Sequence, residues 1–505
     1  MKYPCSAAGY LISTRKRLGV GLLGLAVLGT PASFVNAQPV GIPSMGVASA
    51  AELSPGLERT LGDAIMEQGR RDPTYIADPD VLQYLTDMGR KLASQADTPV
   101  DRVNVFALRD PQINAFALPG GYIGINSGLV VAAGSESELA SVVAHEIAHV
   151  SQRHIARGMT QRSQTGHAMI ATLAGALLAA LSGSPDLAMG VAAFGQAAAV
   201  DRQLGFSRQA EHEADRAGLT MMTRAGYDPG GMARMFERLE NVSRLNQGAG
   251  GNVYTSTHPL SLQRQADAQN RSMNAPKRPA TTDDTFWYVR AKLRVEQARS
   301  GQPLRNVEDT LTAEVRKLQG VQRSAAWYGL AYAAWKRRDF GRASEALAQA
   351  RAGGHDSAQV AGLEVAVALD AGQVDNALEL AQRAAARWPD SQGVALAQIQ
   401  ALQGSGRHEV AVSTLQARLK QWPDVPQLWQ LLGQSQEKLG RRADARRSMA
   451  TFYELTGALP AAVEQLRQAR AMSNDFYEQS ELDVRIRQLR ERLESDRQLL
   501  ERFKS

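Results

Sequence analysis

Apolar positions along the 505-residue chain fall into three patterns. Leu139, Val142, Val143, Ile147 and Val150 recur at helical spacing, with no proline or glycine before Gly158. Ser135-Glu136-Ser137-Glu138 stands just ahead of them in the S-x-x-E form of a capping box, which predicts a helix start. Upstream the period changes to two. Val103–Leu108 alternates like a strand, and Asn114–Leu118 and Tyr122–Ile125 flank Pro119-Gly120-Gly121 as the arms of a hairpin. The third pattern is a repeat: Ala343, Ala377, Ala411 and Ala445 lie 34 residues apart, as do Trp388-Pro389-Asp390 and Trp422-Pro423-Asp424. Alanine lets two antiparallel helices of one unit approach closely, and proline ends the second of them.

Composition places boundaries around these patterns. Lys2, Arg15, Lys16 and Arg17 precede an apolar run, Leu18–Leu28, and then Val35-Asn36-Ala37. That order predicts a secretory signal, residues 1–37, cut after Ala37, since the apolar run is short for a bilayer span. A second small-residue site lies at Ala48-Ser49-Ala50. The formal charge of +6 then owes much to the removed segment, which holds four basic residues and no acidic one. What remains is nearly neutral, without the concentrated basic face that nucleic-acid binding needs. Cys5, the one cysteine, lies in the same segment, so neither disulfides nor a thiolate metal site are expected. A linker over 38–52, a first domain over 53–275, a polar linker with two prolines over 276–284, a repeat domain over 285–475 and a charged amphipathic capping helix over 476–505 complete the division. Residues 168–181 and 187–200 are strongly apolar, but each half falls short of the roughly 20 residues a span requires. They fit a core hairpin, a lid, or an element leaning on a membrane surface.

The candidate chemistry lies in the first domain. His145-Glu146-Ile147-Ala148-His149 is H-E-x-x-H, and on a helix residues four apart share a face, so both imidazoles can reach one metal ion with Glu146 beside them. Zinc is the usual metal of such a site. On a continuous helix His154 would point half a turn away from His145, which marks it as a surface residue. Glu211-His212-Glu213-Ala214-Asp215 offers the next ligand. Glu211 and Asp215 share a face, and a carboxylate completes a His₂Glu site with water in the fourth position; spacing leaves His212 and Glu213 open as well. His258, in Thr257-His258-Pro259-Leu260, is open to three roles: oxyanion stabiliser, fourth metal ligand that holds the site inactive, or plain structural histidine. The strand near Tyr122–Asn126 is a candidate for pairing with an extended substrate by edge addition.

Together, H-E-I-A-H, the E-H-E-A-D-R segment some sixty residues on, and Asn114-Ala-Phe-Ala-Leu-Pro-Gly-Gly with Asn126-Ser-Gly-Leu resemble the HtpX and CAAX-prenyl-protease superfamily of zinc peptidases. The 34-residue period, with Trp429-Gln430-Leu431-Leu432-Gly433 in register, resembles the tetratricopeptide repeat. These resemblances imply a mainly α chain: a gluzincin-type α+β metallopeptidase domain with a small sheet, then an all-α repeat solenoid. They imply one zinc ion per chain on His145, His149 and Glu211. Glu146 would be general base, and Asp215 proton donor or a partner of a ligand histidine. They further imply a periplasmic endopeptidase that cleaves misassembled outer-membrane barrel proteins and docks on their assembly machinery through the repeats. The alternative is a chaperone-like assembly factor in which proteolysis is secondary.

Overall fold

The computed structural model describes residues 54–100, 102–161, 206–245, 253–275, 283–298 and 301–502. The expected signal, the linker over 38–52, the apolar halves of 168–200 and residues 276–282 lie outside them. Helices α1 (Pro55–Gly69) and α2 (Pro79–Ala93) lead into a small sheet of β1 (Asn104–Leu108), β2 (Ala115–Leu118) and β3 (Tyr122–Asn126). Next come α3 (Ser127–Ala132), the long α4 (Glu136–Ser151), α5 (His154–Gln161), α6 (Arg208–Arg224), α7 (Gly230–Leu245), the short α8 (Val253–Thr257) and α9 (Leu262–Asn274).

The hairpin read from Pro119-Gly120-Gly121 is present. Gly120 and Gly121 have φ of 77° and 81°, a region glycine enters without a Cβ penalty, and a Cβ on Gly121 would stand 1.9 Å from the carbonyl oxygen of Arg102. The strand order is β1-β3-β2, with β1 parallel and β2 antiparallel to β3. This corrects one expectation: Tyr122–Asn126 is the central strand, with both edges already paired. On the far side of β1, Ile76 N–H donates to Ala107 O at 3.0 Å and Thr86 Oγ1 donates to Val105 O at 3.1 Å. Among the described residues β2 has no strand partner on its far side, yet all four of its residues are buried.

Helix α4 is buried from Glu136 to His149, so it runs through the core rather than over it. Ser135 caps it by accepting from Glu138 N–H at 3.3 Å. Its small residues set the distance to the next helix: a Cβ on Gly218 of α6 would lie 3.1 Å from His145 N and 3.2 Å from Ala144 C. Glycine at that point lets the two helices come together.

The repeat domain begins at α10 (Thr285–Ala298) and continues through α11 (Gly301–Lys317), α12 (Gly320–Lys336), α13 (Phe340–Ala352), α14 (Ala358–Asp370), α15 (Val374–Arg387), α16 (Gln392–Gly404), α17 (His408–Gln421), α18 (Pro426–Lys438), α19 (Arg442–Leu455) and α20 (Leu459–Met472) to α21 (Phe476–Arg502). Ala343, Ala377, Ala411 and Ala445 are all buried near the starts of α13, α15, α17 and α19, as the period requires. Trp388 and Trp422 cap the ends of α15 and α17. Leu482, Ile486 and Leu489 of α21 pack against α20 and close the array.

Helix α10 belongs to two cores. Phe286, Val289 and Leu293 are buried with the first domain, while Tyr288, Ala291 and Val295 are buried with the repeats. Three such side chains contribute roughly 5–8 kcal/mol by apolar burial, so the repeats are fixed to the first domain. Lys292 reinforces the joint from a buried position, donating to Asp78 (2.8 and 3.0 Å) and Asp80 (2.7 Å). Further along, Gln83 Nε2 donates to Asp390 O and its Oε1 accepts from Gln392 N–H, both at 2.8 Å. At the end, Arg492 pairs with Glu67. The solenoid therefore meets the α1–α2 side at its beginning, middle and end.

Candidate metal centre

His145, His149, Glu211 and His258 converge, each offering a ligand atom within 4.8 Å of the others, and all four are buried. The two histidines come from one face of α4, Glu211 from the first turn of α6, where Ser207 caps the helix, and His258 from the segment after α8. His149 Nε2 lies 3.0 Å from His145 Nε2, and the Glu211 carboxylate lies 3.5 Å from each. His258 Nδ1 lies 3.3 Å from His145 Nε2 and 3.1 Å from Glu211 Oε1. Ligands about 2.0–2.1 Å from a tetrahedral ion stand about 3.4 Å from one another. The observed separations match that edge, and a nitrogen–nitrogen approach of 3.0 Å leaves room between the atoms for only a proton or a metal.

Electrostatics agree. Burial alone would drive His145 down, but the carboxylates of Asp215 and Glu211 outweigh it and push the imidazole up to about 10. Glu211 is held well below the usual carboxylate range: burial opposes this, but His258 and His145 prevail. Burial, aided by the neighbouring His145, keeps His149 well below the ordinary histidine value. A buried pocket whose carboxylates favour positive charge on an imidazole suits a cation.

Glu146 is fully buried, and burial raises its carboxyl above the ordinary value. Its Oε1 accepts from Tyr254 O–H at 3.5 Å and lies 3.7 Å from His258 Nε2, while Oε2 has no hydrogen-bond partner. An orphaned buried carboxylate oxygen costs free energy unless something fills the place beside it.

Asp215 sits behind the cluster, with Oδ1 3.0 Å from His145 Nδ1. Arg264 of α9 holds it in a two-pronged pair, Nε to Oδ2 at 2.6 Å and Nη2 to Oδ1 at 2.7 Å. The remaining nitrogen, Nη1, lies 2.7 Å from Glu211 Oε2 and donates to Pro259 O at 2.9 Å. One guanidinium thus fixes a candidate ligand, the partner of another, and the loop that carries His258.

His154 corrects the second expectation. It is buried, not on the surface, and its Nδ1 lies 2.9 Å from His149 Nδ1. The reason is a helix break: α4 stops at Ser151, Arg153 takes φ of 52°, and α5 starts at His154 on a new axis. Glu213, one of the alternatives to Glu211, faces His154 Nε2 at 3.2 Å. Burial holds His154 down at about 4. His212 takes no part in the cluster. Phe206 stacks on His149 (3.9 Å, 24°) and Tyr254 on His258 (4.7 Å, 27°). Residues spacing did not single out are therefore Arg264, Tyr254 and Phe206, while Glu213 and His154 take places other than those expected. The only sequence signal for Arg264 was its place six residues after His258, since a buried arginine is written like an exposed one.

Fold and site define a metalloendopeptidase domain with a helical repeat domain behind it. Residues 79–272 match peptidase family M48, and residues 368–435 match the tetratricopeptide repeat. Over 97% of its length the chain is similar to the β-barrel assembly-enhancing protease of Escherichia coli K12, at 29% identity and covering 98% of that protein. A Vibrio cholerae relative named for the same role is 33% identical over 62% of this chain and 63% of its own length. The mitochondrial metalloendopeptidase OMA1 of Schizosaccharomyces pombe is 36% identical over 31% of this chain and 43% of its own length. Among the described residues no helix is long and apolar enough to cross a membrane.

Proposed function

We propose that the chain is a zinc endopeptidase of the periplasm that hydrolyses misassembled outer-membrane barrel proteins. The observation that carries the chemistry is the convergence of His145, His149, Glu211 and His258 beside an orphaned Glu146 oxygen. The relatives' names, with the signal-like N-terminus, support substrate and compartment. His145, His149 and Glu211 would hold one zinc ion, which when bound supplies a polarised water and a Lewis acid for the scissile carbonyl. Glu146 Oε2 would take the proton from the attacking water and return it to the leaving amine, a task suited to a buried carboxylate whose proton affinity is raised. Asp215, with Oδ1 3.0 Å from His145 Nδ1, would steady that ring with Nε2 toward the metal, acting through His145 and not as a proton donor to substrate. His258 stands where a fourth ligand would, which supports a resting site closed by this imidazole and opened by its withdrawal.

The test is zinc content and cleavage of an unfolded barrel protein by wild type, Glu211→Gln and Glu146→Gln. About one zinc per wild-type chain, little in Glu211→Gln, and full zinc with at least a hundredfold slower cleavage in Glu146→Gln is the expected outcome. A wild type that neither carries nor takes up zinc sinks the proposal. If Glu146→Gln still restores barrel-protein levels in cells, assembly support dominates, as the packed repeat domain would allow.

A further inference from the structure

Each α4 histidine is held from behind, but by different means. Asp215 meets His145 directly, at 3.0 Å. Behind His149 stands another imidazole, His154, and behind that Glu213. The hydrogen positions follow from the far end of this chain. The Glu213 carboxylate only accepts: Oε2 takes Arg157 Nη1–H at 2.9 Å and Oε1 takes Gln209 Nε2–H at 2.9 Å. Facing that acceptor at 3.2 Å, His154 Nε2 must carry the hydrogen. With Arg157 matching the carboxylate's charge, a neutral His154 presents a lone pair on Nδ1. His149 Nδ1, 2.9 Å away, must then donate. That leaves the lone pair of His149 on Nε2, aimed at His145 and Glu211.

We propose that His154 and Glu213 are positioning residues: a relay that fixes the tautomer and ring plane of His149 for metal binding. The proposal rests on the reading of His149 as a metal ligand. Two further features fit it. The backbone takes a left-handed turn at Arg153, unfavourable for a residue with a Cβ, and that turn swings His154 back under His149. Phe206 closes the ring's face at 3.9 Å, so His149 is confined both in its plane and across it. A histidine buried only for packing would need neither an aligned donor on one nitrogen nor a carboxylate on the other.

The test uses the full chain with His154→Phe, His154→Asn and Glu213→Gln. Phenylalanine keeps the ring volume and removes the acceptor, whereas asparagine keeps an acceptor near the Nδ1 position. Zinc affinity is read by competition with a chromophoric chelator, and the imidazole tautomers of the metal-free protein by nitrogen-15 NMR. His154→Phe should bind zinc about 10–100-fold more weakly, His154→Asn should recover most of that loss, and Glu213→Gln, a partly exposed site less prone to misfold, should lose a few-fold. Wild-type His149 should carry its hydrogen on Nδ1 before any metal is added. His154→Phe matching wild-type affinity, Asn as weak as Phe, or His149 protonated on Nε2 would each overturn the relay. Failure of the wild type to bind zinc at all would refute the metal reading instead, and the NMR result would still decide the hydrogen-bond order.

Discussion

Arg264 is the residue whose loss should damage the first domain most without touching its apolar core. Its side chain is 3% exposed, against 1% for Glu211 and 6% for Asp215, and it reaches these two carboxylates over three contacts of 2.6–2.7 Å. Arg264→Met keeps most of the stem and removes the one arginine or lysine that, among the described residues, lies within ion-pair distance of Asp215. Removing one partner of a buried pair costs about 3–5 kcal/mol, because the charge left behind is neither solvated nor matched. For a cooperative unit of about 200 residues, that is roughly a 10–15 °C fall in Tm. Circular dichroism melts of the metal-free chain read it directly. Arg264→Lys, which keeps the charge but loses the planar fork, should fall between the two. Adding Asp215→Asn to Arg264→Met should cost less than the two changes summed, by about 2 kcal/mol, since the double variant leaves one fewer unmatched charge. A fall of less than about 3 °C for Arg264→Met, or strict additivity with Asp215→Asn, would show that the guanidinium is not the clamp described.

Two further predictions concern the repeats and their contact with the first domain. Arg338 has φ of 60° at the position where the following repeats place Gly372, Gly406 and Gly440 (77°, 74° and 75°). Arg338→Gly removes a left-handed penalty of about 1–2 kcal/mol and gives up a cation–π contact with Phe340 at 5.2 Å, so the melt should rise by about 1–3 °C; a fall would contradict the repeat register. Glu67 is raised to about 7, first by burial, with Arg492 opposing. Because its folded value lies above its unfolded one, its favourable contribution is full below about pH 4.5 and is lost as the pH rises through 7. Glu67→Gln should therefore melt higher than wild type at pH 8 and no higher at pH 5; an equal difference at both would refute the assignment.

Much of the architecture could be read without coordinates because it is written in periods. The 34-residue interval becomes stacked helix pairs wherever small residues let helices touch, and Ala343, Ala377, Ala411 and Ala445 are buried as that demands. Pro119-Gly120-Gly121 likewise announces a tight turn through its backbone requirements alone. Strand order is different. Nothing in the alternation of Val103–Leu108, Ala115–Leu118 or Tyr122–Asn126 says which lies in the middle, because all three strands are buried almost throughout and none shows the one-sided pattern of an exposed edge. Only the pairing of β1 with β3 puts Tyr122–Asn126 in the middle rather than at an edge.

The site shows the same division at finer grain. His145, Glu146 and His149 are legible because a single helix fixes their geometry four residues at a time. Glu211 needed the resemblance to separate it from His212 and Glu213, and the structure gives both glutamates a place, one in the cluster and one behind it. His154 departs from helical expectation for a physical reason. A surface position for His154 requires one continuous helix through Gln152 and Arg153, yet Gln152 ends the helix and Arg153 enters a conformation that a sequence does not advertise when the residue is not glycine. One left-handed residue rotates everything after it, and it turned a predicted surface imidazole into the inner partner of His149. Supporting residues depend on such breaks more than first contacts do, since they come from neighbouring elements whose relative phase no local pattern fixes. Arg264 is the limiting case. It reaches Asp215 and Glu211 from a third helix, so its role exists only once α6, α9 and the His258 loop have packed together.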